Sequence, residues 1–254
     1  MWFDSHCHIS EVQDEIALRD IVRRARDADV VGIVVLGTDA ASSRRAVEAT
    51  ALEGVWAGAA FHPTSAEGWI DAWIEEIAPM MAEPGVVAVG ETGIDLYWDR
   101  SYLSDQEAAF RAHIALAKEY DKALVIHTRD SVDETIALLE TEVPPSRLVF
   151  HCWSGTAAQM DRALDLGSYI SFAGNVSFKK AVELREAAAR VPADRLLVET
   201  DSPYLAPEPK RGRENEPAFI PHVGEAVVTA RDEPVDLIAG TTTANARRLF
   251  GLDP

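Results

Sequence analysis

Eight times along this chain a short run rich in β-branched and apolar residues is followed by a stretch with helical signals, and that alternation limits the possible folds more than any other feature. The runs are Trp2–His6, Val31–Gly37, Val55–Phe61, Val86–Glu91, Ala123–His127, Arg147–His151, Tyr169–Ala173 and Leu196–Asp201. Strands that alternate with helices form βα units and a parallel sheet, because parallel neighbours need a crossover between them. Ser104-Asp105-Gln106-Glu107 has the spacing of a capping box and opens a helix running to about Tyr120. Asp130 to about Glu142 reads as another helix, stopped by Pro144 and Pro145, while Thr156 caps one that Gly167 ends. Eight such units close as a barrel or lie open as a doubly wound sheet. No Gly-rich phosphate loop follows any run, which weakens the open sheet. The 254 residues fit one barrel domain over 1–254.

The ends of the runs favour the barrel further. The first run leads into His6-Cys7-His8, and the third, fourth, fifth, sixth and eighth lead to His62, Glu91, His127, His151 and Asp201. Taken singly these are weak signals: a lone His is more often a satisfied polar residue than a ligand, and a lone acid more often a cap. Together they are not, since five of the seven histidines fall at strand ends. A parallel TIM-type (β/α)8 barrel brings all those ends to one face, where such barrels build their sites. Neutral imidazole nitrogen and anionic carboxylate oxygen form a mixture suited to divalent cations. His6 and His8, two apart on an extended strand, point to the same side. By the same alternation the residue two before each ligand points inward one layer lower. Val89, Val125 and Val149 suit that packed layer. Asp4 and Glu199 do not, and read instead as buried supports for the ligands.

At this point the chain resembles the TatD-type metal-dependent deoxyribonucleases, within the amidohydrolase-like barrels. The resemblance rests on Asp4-Ser5-His6-Cys7-His8, on Val89-Gly90-Glu91-Thr92-Gly93-Ile94-Asp95, on His127-Thr128-Arg129 and on His151-Cys152-Trp153-Ser154-Gly155. It is completed by Leu197 to Leu205 and by Arg211-Gly212-Arg213-Glu214-Asn215-Glu216-Pro217, in family order across nearly the whole chain. The resemblance implies two divalent metal ions (Mg, Mn or Zn). His6 and His8 hold one, Glu91 bridges, His127 and His151 hold the second, and Asp201 completes the first and acts as general base. It also implies hydrolysis of DNA phosphodiester bonds from the 3′ end. His62 is expected to donate to or steer the scissile phosphate, and Arg129, Lys179 and Arg211 to meet flanking phosphates. A related barrel enzyme hydrolysing a small-molecule amide, lactone or phosphoester is the alternative. Such enzymes often bridge their metals with a carboxylated Lys, where this chain has Glu91. A metal-holding scaffold without activity is a distant third.

Charge narrows the substrate. With 24 basic and 42 acidic residues the chain carries −18, which repels long polyanions. The expected partners are therefore single-stranded DNA ends or short oligonucleotides, bound by the metals and local basic loops. No membrane-length apolar run and no signal-peptide pattern is seen, so a cytoplasmic location is expected, and a monomer by default. Cys7 and Cys152 are too few for a disulfide framework and read as small packing residues.

Overall fold

The structure, a computed structural model, describes residues 1–12 and 14–252. Eight parallel strands follow one another around a barrel in chain order: β1 (Trp2–Cys7), β2 (Val30–Leu36), β3 (Val55–Ala59), β4 (Val86–Asp95), β5 (Ala123–Arg129), β6 (Leu148–Phe150), β7 (Tyr169–Phe172) and β8 (Leu196–Val198). Around them run α1 (Glu15–Asp27), α2 (Ala40–Ala49), α3 (Leu103–Glu119), α4 (Val132–Glu142), α5 (Ala157–Asp165), α6 (Val182–Arg190), α7 (Ile220–Arg231) and α8 (Val235–Phe250). Three 3-10 segments between Pro63 and Ala82 take the place of a helix between β3 and β4. This is the TIM-type (β/α)8 fold that the alternation of strands and helices predicts. Among the described residues no helix is long and apolar enough to cross a membrane.

The seam between β8 and β1 closes differently from the other pairs. A single parallel bridge joins Cys7 to Ser202. Around it, the Asp201 amide donates to His6 O at 3.0 Å and the His8 amide to Ser202 O at 2.7 Å. The Asp4 carboxylate does the rest, accepting the Thr200 amide at 2.8 Å and the Thr200 hydroxyl at 2.5 Å. A buried acid thus takes the place of ladder hydrogen bonds at the point where ligand-bearing strands meet.

Two layers of core flank the strands. Val125, Val149 and Leu197 share the barrel interior with Phe3, Val34 and Leu36, and α8 closes its lower end with Ala246, Leu249 and Phe250. Phe3 stacks on Trp56 and on Phe250, at centroid distances of 5.6 and 6.2 Å. The larger layer lies between strands and helices. Val89 belongs to that outer layer, contrary to the expectation from alternation. The cause is local: the pairing register shifts between Asp4 and Cys7 on β1 and between Val89 and Thr92 on β4. An extra residue breaks the period of two, so parity before the bulge does not carry past it.

Helix starts also differ in detail. α3 begins at Leu103 after Tyr102 with no side-chain cap, so the capping box at Ser104 does not form. Asp105 instead accepts the Gly68 amide at 2.8 Å, and the Gln106 carboxamide brackets the backbone of Asp95, at 2.8 Å to its N and 3.0 Å to its O. These ties fix the first turn against β4 and the segment that precedes it. α4 starts at Val132, because Asp130 is left-handed at φ 54°. α5 has the expected Thr156 cap, completed as a box by Gln159, and Gly167 follows it at φ 81°.

Candidate metal centre

Glu91 stands at the middle of the mouth and divides it. Its Oε2 lies 3.3 Å from His6 Nε2 and 3.2 Å from His8 Nε2. Those two nitrogens are 3.1 Å apart, and Asp201 Oδ1 is 3.7 and 3.6 Å from them. On the other side Glu91 Oε1 lies 2.6 Å from His127 Nδ1 and 2.7 Å from His151 Nε2, which are 3.4 Å apart. Metal–donor bonds of about 2.1 Å give octahedral edges of roughly 3.0 Å and tetrahedral edges of roughly 3.4 Å. The separations among the His6, His8, Glu91 and Asp201 donors match such edges. Those on the second side are partly shorter, as direct hydrogen bonds would make them. Strand geometry delivers the set. Glu91 follows a cis bond to Gly90, where an added Cβ would come within 2.5 Å of Val125 Cβ and 2.8 Å of its carbonyl oxygen. Asp201 itself is left-handed at φ 56°, an uncommon state of order 1–3 kcal/mol that accumulates at functional sites.

Hydrogen bonds on the far side of each ring decide which nitrogen faces inward with a lone pair. His8 Nδ1 donates to Leu36 O at 3.0 Å, His151 Nδ1 to Glu199 Oε1 at 3.1 Å, and His127 Nε2 to Asp95 Oδ2 at 3.1 Å. With a cation bound, each ring so held would be neutral and would offer its other nitrogen as a lone pair beside Glu91. Without a cation, burial works against charge on these three rings, but the carboxylates of Glu91, Asp201, Asp95 and Glu199 raise their pKa and favour the charged form. His62 is the opposite case. Its Nδ1 accepts the Thr64 amide at 3.2 Å, so in the neutral ring the proton sits on Nε2, which lies 3.4 Å from Glu91 Oε1. His62 is therefore set up as a donor, although it sits among groups able to surround an ion.

Electrostatics agree with a cation-binding cluster. Burial alone would raise Glu91, but the charge of His151 and the His127 hydrogen bond hold it well below the usual carboxylate range. Asp201 is lowered likewise, burial being outweighed by the His8 hydrogen bond and the charges of His6 and His151. Both present anionic oxygen at neutral pH. Burial works against charge on His8, yet Asp201 and Glu91 push it up to about 10. Burial lowers His62, which keeps it neutral. Asp4 is raised by burial to about 8 despite its bonds to Thr200.

A cleft of about 700 Å³ opens over the centre. Of the residues expected to meet substrate, His62 and Arg129 line it, whereas Lys179 and Arg211 are exposed outside its lining. The two supporting acids are both fully buried. Glu199 touches His151 and also accepts the Cys152 amide at 2.8 Å. Among the described residues Asp4 hydrogen-bonds to no ligand ring; besides Thr200 its carboxylate accepts the His6 amide, at 3.4 Å. Cys7 packs in the core as expected, but Cys152 is half-buried, left-handed at φ 43°, and lines the cleft. Sequence reasoning passed over Asp95 and Gln106. Asp95 lies four residues beyond Glu91 on the same strand, so continuing the period of two through Gly93 would have found it.

A family model described as "TatD related DNase" matches residues 3–251. A Mycobacterium tuberculosis protein named "Uncharacterized metal-dependent hydrolase TatD" is 41% identical, covering 98% of this chain and 97% of its own. A Klebsiella pneumoniae protein named "3'-5' ssDNA/RNA exonuclease TatD" is 37% identical, with 99% and 98% covered. Among solved structures, YJJV, a TatD homolog from Escherichia coli K12, superposes with a TM-score of 0.93 at 29% identity, over 99% of this chain and 98% of that one.

Proposed function

The chain belongs to the TatD-related DNase family, and from that premise we propose that it is a two-metal hydrolase that removes nucleotides from the 3′ end of single-stranded DNA. The observation that carries this reading is the divided carboxylate of Glu91, each oxygen facing its own set of inward-turned nitrogens. On this reading His6, His8 and Asp201 would hold one ion, His127 and His151 the other, and Glu91 would serve both. Nitrogen-rich donors suit Zn²⁺ or Mn²⁺ better than Mg²⁺, which prefers oxygen. Such ions supply Lewis-acid activation of water and charge neutralisation at the phosphate.

The chain's own residues do the rest. Asp201, held anionic, accepts the proton of the attacking water and passes it to the leaving oxygen. His62 donates a hydrogen bond from Nε2–H to a non-bridging phosphate oxygen, keeping its proton. Glu199 and Asp95 fix the rings of His151 and His127, while Asp4 joins the backbone carrying Asp201 to that carrying His6. Arg129, at the rim, meets a flanking phosphate. Lys179 and Arg211, outside the cleft, are left only the distal phosphates of a longer strand.

An end-labelled oligonucleotide digest, single- and double-stranded, across Mg²⁺, Mn²⁺ and Zn²⁺ with an EDTA control, tests the proposal. Stepwise shortening of the single strand from its 3′ end, abolished by EDTA, is expected. No cleavage with any metal would overturn it and move the assignment to a small-molecule amide, lactone or phosphoester.

A further inference from the structure

One rim of the cleft carries a feature that metal chemistry does not use. Beyond β4, Tyr97 and Trp98 are 52% and 67% exposed, unusual for large aromatic side chains beside a polar site. Their rings meet edge to face at 4.8 Å and 87°. The Arg129 guanidinium lies 3.6 Å from the Tyr97 ring centre and 5.4 Å from that of Trp98. Among the described residues Arg129 has no carboxylate partner within 4.0 Å, in a chain of net charge −18. Trp98 and Arg129 both line the cleft that holds Glu91, His127 and His151.

The feature is tied to the centre by rigid structure. Asp95 gives one oxygen to His127 Nε2 at 3.1 Å and the other to the Tyr97 amide at 3.0 Å. Asp95 pairs with Arg129 across β4 and β5, and the Leu96 amide donates to Arg129 O at 2.9 Å. Gln106 clamps the Asp95 backbone from below. A loop so held presents its aromatic face at the rim of the cleft that holds Glu91, His127 and His151.

We propose that Trp98, backed by Tyr97, is a stacking platform for one unpaired nucleobase next to the scissile bond, with Arg129 on the adjoining phosphate. This rests on the nuclease reading and deepens it. Every base has a π-face, so the platform accepts any sequence. A duplex end cannot offer that face without unstacking, so the platform selects single strands. An aromatic platform also suits an acidic protein, because stacking needs no excess of positive charge.

The test uses metal-loaded protein and a hydrolysis-resistant phosphorothioate pentanucleotide, with an abasic residue walked through successive positions. Removing the base at one position is expected to weaken binding about tenfold in the native protein and less than about twofold in Trp98→Ala. An equal loss in both proteins would overturn the platform, as would a Trp98→Ala protein that binds the intact oligonucleotide like the native one. Arg129→Gln should reduce the slope of log affinity against log salt by about 0.7, and an unchanged slope would remove Arg129 from the proposal. Tryptophan fluorescence that responds to protein dilution but not to oligonucleotide would assign the pair to contact between copies of the chain and overturn the proposal. Base-dependent binding together with no cleavage of the matching phosphodiester would overturn the nuclease reading alone.

Discussion

The two ends of this barrel are made of opposite materials. At the floor, Phe3, Trp56 and Phe250 stack under an aliphatic interior, and each side chain gains free energy by leaving water. At the mouth, imidazoles and carboxylates are buried with mostly one another for partners, an arrangement that costs free energy unless charge is balanced. The contrast teaches where stability and function reside: the floor holds the fold, and the mouth gathers the groups that could hold a cation. Residues from one strand can serve both ends, as β1 does with Phe3 below and His6 above.

The largest effect separating the ends is expected at Glu91. Glu91→Gln should lower oligonucleotide turnover by about a thousandfold or more, since both donor sets lose their shared anion. Metal-free melting should fall modestly, because His8, His127 and His151 lose their shared counter-charge. A variant that unfolds would break the distinction between the ends. At the floor, Phe250→Ala should cost about 3–5 kcal/mol by denaturant titration while leaving turnover per folded molecule within about twofold. A large loss of turnover in folded Phe250→Ala would mean that the two ends are mechanically coupled.

The sequence announced these two ends unequally. All eight strands were legible, because each apolar run is short and punctuated, and His127, His151 and Glu199 fall where simple alternation puts them. β1 and β4 were not fully legible. Their bulges depend on pairing register, which no local pattern encodes, so Val89 went to the wrong layer and Asp4 turned from a ring support into a seam between strands. The start of α3 was missed for a related reason: Asp105 and Gln106 spend their side chains on distant backbone rather than on a cap. The floor's stacking depends on α8 returning under β1, a contact across most of the chain length, and was invisible beforehand.

His113 sharpens the comparison, because it lies behind the mouth yet should belong with the floor. Buried on α3, it donates Nδ1–H to Ala109 O at 2.7 Å and accepts the Phe61 amide on Nε2 at 3.0 Å, packed against Trp69. Burial lowers its pKa to about 4, against about 6.5 in an unfolded chain. Between those values the unfolded chain binds the extra proton, so stability should fall as pH drops from 6.5 toward 4 and be full above 6.5. The expected loss is about 3 kcal/mol. Denaturant titrations at pH 7 and 4.5 should show a steeper decline in the native protein than in His113→Gln. Equal declines would assign the acid sensitivity to the mouth instead.

The smallest effect tests whether Asp95 belongs to the mouth at all. Its carboxylate holds His127 on one side and the Tyr97 amide on the other, and the charge of His127 together with both hydrogen bonds lowers its pKa against burial. Asp95→Asn keeps an oxygen for the Tyr97 amide but removes the anion that orients His127 and raises its basicity. Cation affinity should therefore fall about tenfold in a metal titration, while metal-free stability falls by only about 1 kcal/mol, since Asn can still pair with Tyr97 and His127. The reverse result, unchanged affinity with lost stability, would make Asp95 a structural residue that only happens to touch a ligand. The boundary between the two ends would then run through β4 above Glu91.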